Sequence, residues 1–244
     1  MTLAPPTHER GITTLTLDSP ANRNALSAPL VAGLTEALDA CATDESIRAV
    51  VLTHTGNTFC AGADLKAPAD PHAFVALMRR IVTLPKPVVA RVTGHVRAGG
   101  LGLLGACDIS VAGPDSSFAL TESRLGLAPA VISLPLLPSL DPRAASRYYL
   151  TGERFDATEA ARIGLVALAA EDVDKALVPV LDGLRRASPQ GLAASKELVT
   201  ATVRETFDQY AEDLIARSAA LFASDEAREG MTAFLERRDP AWRL

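Results

Sequence analysis

The sequence predicts an α/β fold that gives way to an all-helical C-terminal region, and three observations carry this expectation. Between residues 12 and 53 a β-rich run, a helical run and a second apolar run follow one another, the order of a crossover unit with parallel strands. β-Branched runs recur at 88–92 and 108–112, on either side of a glycine-rich stretch. From about residue 173 onward the apolar spacing is helical only. The boundary falls near residue 170, which divides the chain into an α/β core, residues 1–170, and an α-helical region, residues 171–244.

Each element has a local reason. Residues 12–17, ITTLTL, are β-rich and stop at Asp18-Ser19-Pro20, a turn signal. After the loop NRNALS, Ser27 can cap a helix that has Pro29 in its first turn and Val31, Leu34, Leu38 and Cys41 on one face. Residues 47–53 are almost continuously apolar, as a strand buried on both faces requires. The small-residue stretch 56–68 follows that strand, where open α/β sheets hold ligands. Asp70-Pro71 starts a helix carrying Phe74, Leu77, Met78 and Ile81, closed by Leu84-Pro85-Lys86-Pro87. Strands are expected at 88–92, 108–112 and 117–121. Prolines 129, 135 and 138 make the next segment a folded-back wall. Asp141-Pro142 caps a short helix, Asp156-Ala-Thr-Glu159 is a capping box, and Gly164 suits the end of the helix it opens. Four further helices are expected at 173–187, from Ser188-Pro189, at about 204–223 and at 225–238.

Composition narrows the function classes. A net charge of -5 with no basic block gives no phosphate footprint, so no nucleic-acid partner is expected. No apolar run approaches the ~20 residues of a bilayer span, and no N-terminal stretch reads as a signal peptide, so a soluble cytoplasmic protein without a membrane partner is expected. Cys41, Cys60 and Cys107 are unpaired in spacing, as free thiols of a reducing compartment are. The four histidines show no metal-ligand spacing, and no metal is expected. GxSxG is absent, and no clean GxGxxG opens the first strand-helix unit, which argues against a serine hydrolase and a dinucleotide oxidoreductase.

Chemistry concentrates in residues 94–108, GHVRAGGLGLLGACD. Glycines at a strand-to-helix turn remove the Cβ atoms that keep a ligand off the backbone, and helix N-terminal N–H groups face an oxygen that becomes negative. Ala63 in CAGAD and Gly99 can each offer one N–H to a carbonyl oxygen, the pair that a thioester enolate needs. Glu122 stands among Phe118, Leu120, Leu125 and Leu127, and an apolar setting raises a carboxyl toward the range useful in proton transfer. Asp64 is also read as an acid bracing its own loop.

The pieces NRNALS, FCAGADLK, KPVVARVTGHVRAGGLGLLGACDISVA, FALTESRLGLAP, LTGERFDATEAARIGLV, SPQGLAASKELV and AFLERRDPAW, in this order, resemble the crotonase family of enoyl-CoA hydratases and isomerases. The resemblance implies a crotonase-like spiral of ββα units, a helical C-terminal region used in trimer contacts within a homotrimer or homohexamer, and an acyl-CoA thioester as substrate with no further cofactor. It matches Ala63 and Gly99 to the oxyanion positions and Glu122 to a catalytic glutamate. Arg23, Ala25, Leu26, Ala61, Asp64, Leu65, Lys66 and Gly100 match positions lining the coenzyme A and substrate path. Two-glutamate hydratases carry their other glutamate three residues after the second oxyanion residue, and here that position is Gly102. A hydratase working with Glu122 alone is expected; a double-bond isomerase, which needs one carboxylate, and an inactive acyl-CoA binder are the alternatives. Arg97, two residues before Gly99, stands either near the acyl group or the coenzyme A phosphates, or at the surface paired with an acid.

Overall fold

The computed structural model describes residues 2–64 and 68–244. β1 (Thr7–Glu9) and β2 (Ile12–Leu17) form a hairpin, and a 3-10 turn (Pro20–Asn22) leads to α1 (Ala28–Thr43). β3 (Ala49–His54), β4 (Thr58–Cys60) and α2 (Pro71–Thr83) follow, then β5 (Val88–Val92), β6 (His95–Arg97) and α3 (Gly99–Gly105). β7 (Ile109–Ala112) and β8 (Ser117–Ala119) precede a 3-10 turn (Glu122–Leu125), α4 (Ser133–Leu136) and α5 (Pro142–Thr151). β9 (Phe155–Asp156), α6 (Ala157–Arg162) and β10 (Leu168–Ala169) close the α/β part; α7 (Val173–Arg186), α8 (Pro189–Val199), α9 (Ala201–Phe222) and α10 (Asp225–Glu236) complete the chain.

One sheet has the order β1-β2-β3-β5-β7-β10 and the other β4-β6-β8-β9. In the first, β2 to β10 run parallel; in the second, β4, β6 and β8 do. The chain therefore visits the first sheet, then the second, then a helix: β3-β4-α2 and β5-β6-α3 are successive turns of a ββα spiral. Spacing gives no separate strand at 95–97, because three residues in which only Val96 is apolar and buried carry no alternation to read. Their pairing with Thr58 and Phe118 comes from tertiary structure.

β3 is buried at all six positions, as its apolar run requires. One core cluster joins α1, α2 and α3 to the sheets, and a smaller one, with Ile12, Val51, Val89 and Val111, is covered by Val173 and Leu177 of α7. The helical region does not stand apart from this core. Phe207 and Ile215 of α9 belong to the main cluster, whereas Tyr210, Phe222, Phe234 and Leu235 remain exposed. α8 is anchored by Lys196, whose ammonium donates to Asp108 Oδ2 at 2.7 Å and to the carbonyls of Ile81 at 2.7 Å and Lys86 at 3.0 Å. Burial raises the Asp108 pKa and lowers that of Lys196, and their attraction opposes both shifts. Among the described residues no helix is long and apolar enough to cross a membrane.

Candidate active site

The loop that leads into α1 meets the loop that follows β4. Leu26 N–H donates to Gly62 O at 2.7 Å and Asp64 N–H donates to Leu26 O at 3.3 Å, so the peptide groups on either side of Ala63 are used in this bridge. The Ala63 N–H itself points the other way, because it shares a trans peptide with the Gly62 carbonyl that faces Leu26. Gly62 has φ +93, and a Cβ there would stand 2.7 Å from Ala98 Cβ and 3.3 Å from Gly99 N. Only glycine brings the loop after β4 this close to the turn between β6 and α3. Ala98 holds φ 47 and ψ -124, a conformation rare outside glycine, and turns the chain from β6 into α3. Gly99 is the first residue of α3, and among the described residues no backbone acceptor takes the N–H of Ala63 or of Gly99. Two N–H groups on adjoining loops, one of them at a helix start, form a pair suited to an oxyanion.

Ala98 N–H donates to Ala119 O at 3.4 Å, which ties this turn to the strand leading to Glu122. Glu122 opens the 3-10 turn and is 9% exposed. Burial raises its pKa from 4.5 to about 7, against a small opposing effect of its own backbone N–H. Oε2 is buried without a hydrogen-bond partner among the described residues. The turn is held from behind by α10, where a Cβ on Gly230 would stand 2.5 Å from the Leu125 backbone. The C-terminal region thus supports the carboxylate, a contact that helical spacing does not reveal.

At Gly102 a Cβ would stand 2.5 Å from Ile132 Cγ2 and 2.9 Å from Met78 Sδ. The space that a second glutamate would need is filled by apolar atoms, and Ile132 is 3% exposed. Gly100 is buried with its Cα against Cys60, where a Cβ would meet the carbonyl oxygen at 2.7 Å. Leu26 and Ala25 are buried, and Leu26 Cδ1 would stand 2.7 Å from a Cβ on Gly99. Arg23 is exposed and its carbonyl accepts from Ala61 N–H at 3.1 Å. Asp64 accepts from Asn22 Nδ2 at 3.1 Å, a bond that braces the loop. Leu65 and Lys66 lie outside the described residues.

Among the described residues Arg97 pairs with no acid. Its guanidinium donates to Val96 O at 2.8 Å, to Ser117 O at 2.5 Å and to Ser117 Oγ at 2.7 Å. Burial, then repulsion from Arg154, lowers its pKa. Ser117 and Arg154 line an open cavity of about 600 Å³ at the edge of the second sheet, to which Ala63, Gly99 and Glu122 contribute nothing. Sequence spacing also gave no role to Asn24. It is fully buried, donates to the carbonyls of Thr55 at 3.1 Å and Thr58 at 2.7 Å, accepts from Ser19 N–H at 2.7 Å, and so fixes the loop that pairs with Ala63. Tyr149 and Ser133, whose hydroxyls lie 3.2 Å apart, are a further polar pair without a sequence signal. Among the described residues no group of three or more His, Cys, Asp or Glu side chains is placed to hold a metal ion.

A sequence model of the family described as Enoyl-CoA hydratase/isomerase matches residues 7–244. A crystal structure of an enoyl-CoA hydratase from Mycobacterium avium is 57% identical, superposes with a TM-score of 0.91, and the match covers 96% of this chain and 94% of that one. The carnitinyl-CoA dehydratase of Salmonella typhimurium is 33% identical over 94% of each chain. A carnitinyl-CoA hydratase structure from Mycobacterium avium is 28% identical, with a TM-score of 0.88 and coverage of 99% and 98%.

Proposed function

The chain belongs to the enoyl-CoA hydratase/isomerase family, and from that premise we propose that it adds water across the 2,3 double bond of an enoyl-CoA thioester. The N–H groups of Ala63 and Gly99 hold the thioester oxygen. Glu122 takes a proton from water as the water oxygen bonds to C3, the double-bond electrons pass through C2 toward the thioester oxygen, and Glu122 then delivers a proton to C2. Water is consumed whole, as H on C2 and OH on C3. The observation that supports this reading best is the Glu122 carboxyl, buried, with Oε2 unpartnered and its pKa raised to about 7. A group poised near neutrality serves as base and acid in one cycle. Relatives named as hydratases and dehydratases of CoA esters support the same reading.

The isomerase alternative is favoured by one observation, the Gly102 position closed by Ile132 and Met78. Incubation with 2-enoyl-CoA and 3-enoyl-CoA, read by mass spectrometry, separates the two. A hydratase produces a mass gain of one water from the 2-enoyl ester, whereas an isomerase moves the double bond at unchanged mass. An acyl-CoA that raises the melting temperature yet is returned unaltered identifies a binder without catalysis.

We further propose that the apolar residues left exposed on α9 and α10, including Tyr210, Phe222, Phe234 and Leu235, are covered in a trimer or a dimer of trimers. Light scattering at micromolar concentration tests this, and the 25.6 kDa mass of one chain would refute it.

A further inference from the structure

The two oxyanion donors are held in different ways. Gly99 starts α3, whose Leu101, Leu103 and Leu104 are buried in the main core, so its N–H is placed by the helix. Ala63 lies in an isolated bridge outside the named strands. Its place is set by a short parallel ladder, in which Ala61 N–H donates to Arg23 O at 3.1 Å, Leu26 N–H to Gly62 O at 2.7 Å and Asp64 N–H to Leu26 O at 3.3 Å. Three bonds between two loops are a weak frame for a donor that has to meet an oxyanion within about 0.5 Å.

Asn24 stands at the head of that ladder. Arg23 and Asn24, at φ 56 and φ 52, are two successive residues in the left-handed region, and they turn the chain from the 3-10 turn toward Ala25 and Leu26. Asparagine is one of the few side chains that enter this region readily. Its amide is buried and reaches two ways. Oδ1 accepts from Ser19 N–H at 2.7 Å, and Nδ2 commits both of its hydrogens, to Thr55 O at 3.1 Å and to Thr58 O at 2.7 Å. Thr58 opens β4, which ends at Cys60, the residue before the ladder. One side chain therefore grips both segments of the ladder, the first through its own backbone and the second through Thr58.

Resting on the oxyanion reading above, we propose that Asn24 is the positioning residue of the Ala63 half of the site. Its amide sets the register and spacing of residues 23–26 against 61–64 and so aims the Ala63 N–H at the thioester oxygen. It touches no reacting atom and moves no proton. The Gly99 half is independent of it, because α3 is placed by its own core contacts. Misplacing a donor by about 1 Å costs roughly 10²-fold in rate, close to the cost of removing it.

The test reads the aim of this N–H apart from affinity. 4-Dimethylaminocinnamoyl-CoA carries an electron-rich ring conjugated to its thioester, and its absorption band moves to longer wavelength as the thioester oxygen takes hydrogen bonds. Read at saturation, the band position is independent of how tightly the ester binds. Asn24→Gly keeps the left-handed turn and removes the amide. It is expected to lose most of the band shift that the parent produces and to lower kcat for crotonyl-CoA hydration by roughly 10²-fold. A parental band position in Asn24→Gly overturns the proposal whatever the rate, and so does a kcat within about threefold of the parent. Should Asn24→Gly fail to fold, Asn24→Ser, whose hydroxyl is too short to bridge the same carbonyls, decides by the same two readings. Failure of both to fold makes Asn24 a requirement of the fold and overturns a separable positioning role. An unsubstituted protein that binds the ester with no band shift overturns the oxyanion reading of Ala63 and Gly99, and the role of Asn24 with it. One that shifts the band without hydrating crotonyl-CoA overturns only the hydratase reading, and the rate on 3-enoyl-CoA then takes the place of hydration in testing Asn24.

Discussion

Replacing Glu122 with glutamine should make the protein more resistant to heat at alkaline pH, even as it removes proton transfer. Burial raises the folded-state pKa of Glu122 from the ordinary 4.5 to about 7. At about 1.4 kcal/mol for each factor of ten, that gap corresponds to about 3 kcal/mol. An acid whose folded pKa exceeds its unfolded one binds its proton more tightly when folded. Its contribution to stability is therefore fully present below pH about 4.5 and lost as pH rises to about 7. Glutamine keeps the shape and has no proton to lose. Between pH 5 and pH 8 the parent should lose about 2.5 kcal/mol relative to Glu122→Gln, or roughly 5–10 °C in melting temperature for a chain of this length. Comparing the two proteins at each pH cancels the other titrating groups and any fixed cost of the amide. Scanning calorimetry without ligand measures it. Melting temperatures that move in parallel across that range would refute the reasoning, since the carboxyl would then titrate alike in both states.

Gly102→Glu, which restores the second glutamate of two-glutamate hydratases, should destabilise the fold by at least 1–3 kcal/mol in urea titration, because Ile132 and Met78 occupy the space; pairing it with Ile132→Ala should recover part of the loss. Lys196→Met should cost about 3–5 kcal/mol by leaving the buried Asp108 carboxylate unpaired, and adding Asp108→Asn should return part of that stability, again read in urea. A Lys196→Met protein as stable as the parent would mean that Asp108 is neutral in the fold.

Much of the fold was legible in short stretches. Ser27, Asp70, Asp141, Asp156 and Ser188 all cap helices with their side chains as the sequence predicts, because a cap is satisfied within two or three residues of itself. β3 was legible because burial on both faces forces a continuous apolar run. Helical spacing located α9 and α10 but not what they touch. α9 starts at Ala201, slightly before the periodicity declares it, since only Thr200, with φ -95 and ψ 0, separates it from α8.

The chemistry divides along the same line. Loop glycines and a carboxylate among leucines made Ala63, Gly99 and Glu122 candidates from the sequence alone, and the motifs in their order marked the family. The sequence left Arg97 between two readings, and the fold turned it to Ser117, because β6 and β8 pair and place Arg97 opposite Ala119 and next to Ser117. The fold alone also decided that Ile132 closes the position of Gly102, that α10 backs the Glu122 turn, and that the Ser133 and Tyr149 hydroxyls meet. Capping and periodicity are written into neighbouring residues. Which side chain fills a vacancy, and which acceptor takes a proton, depends on residues that only the packed chain brings together.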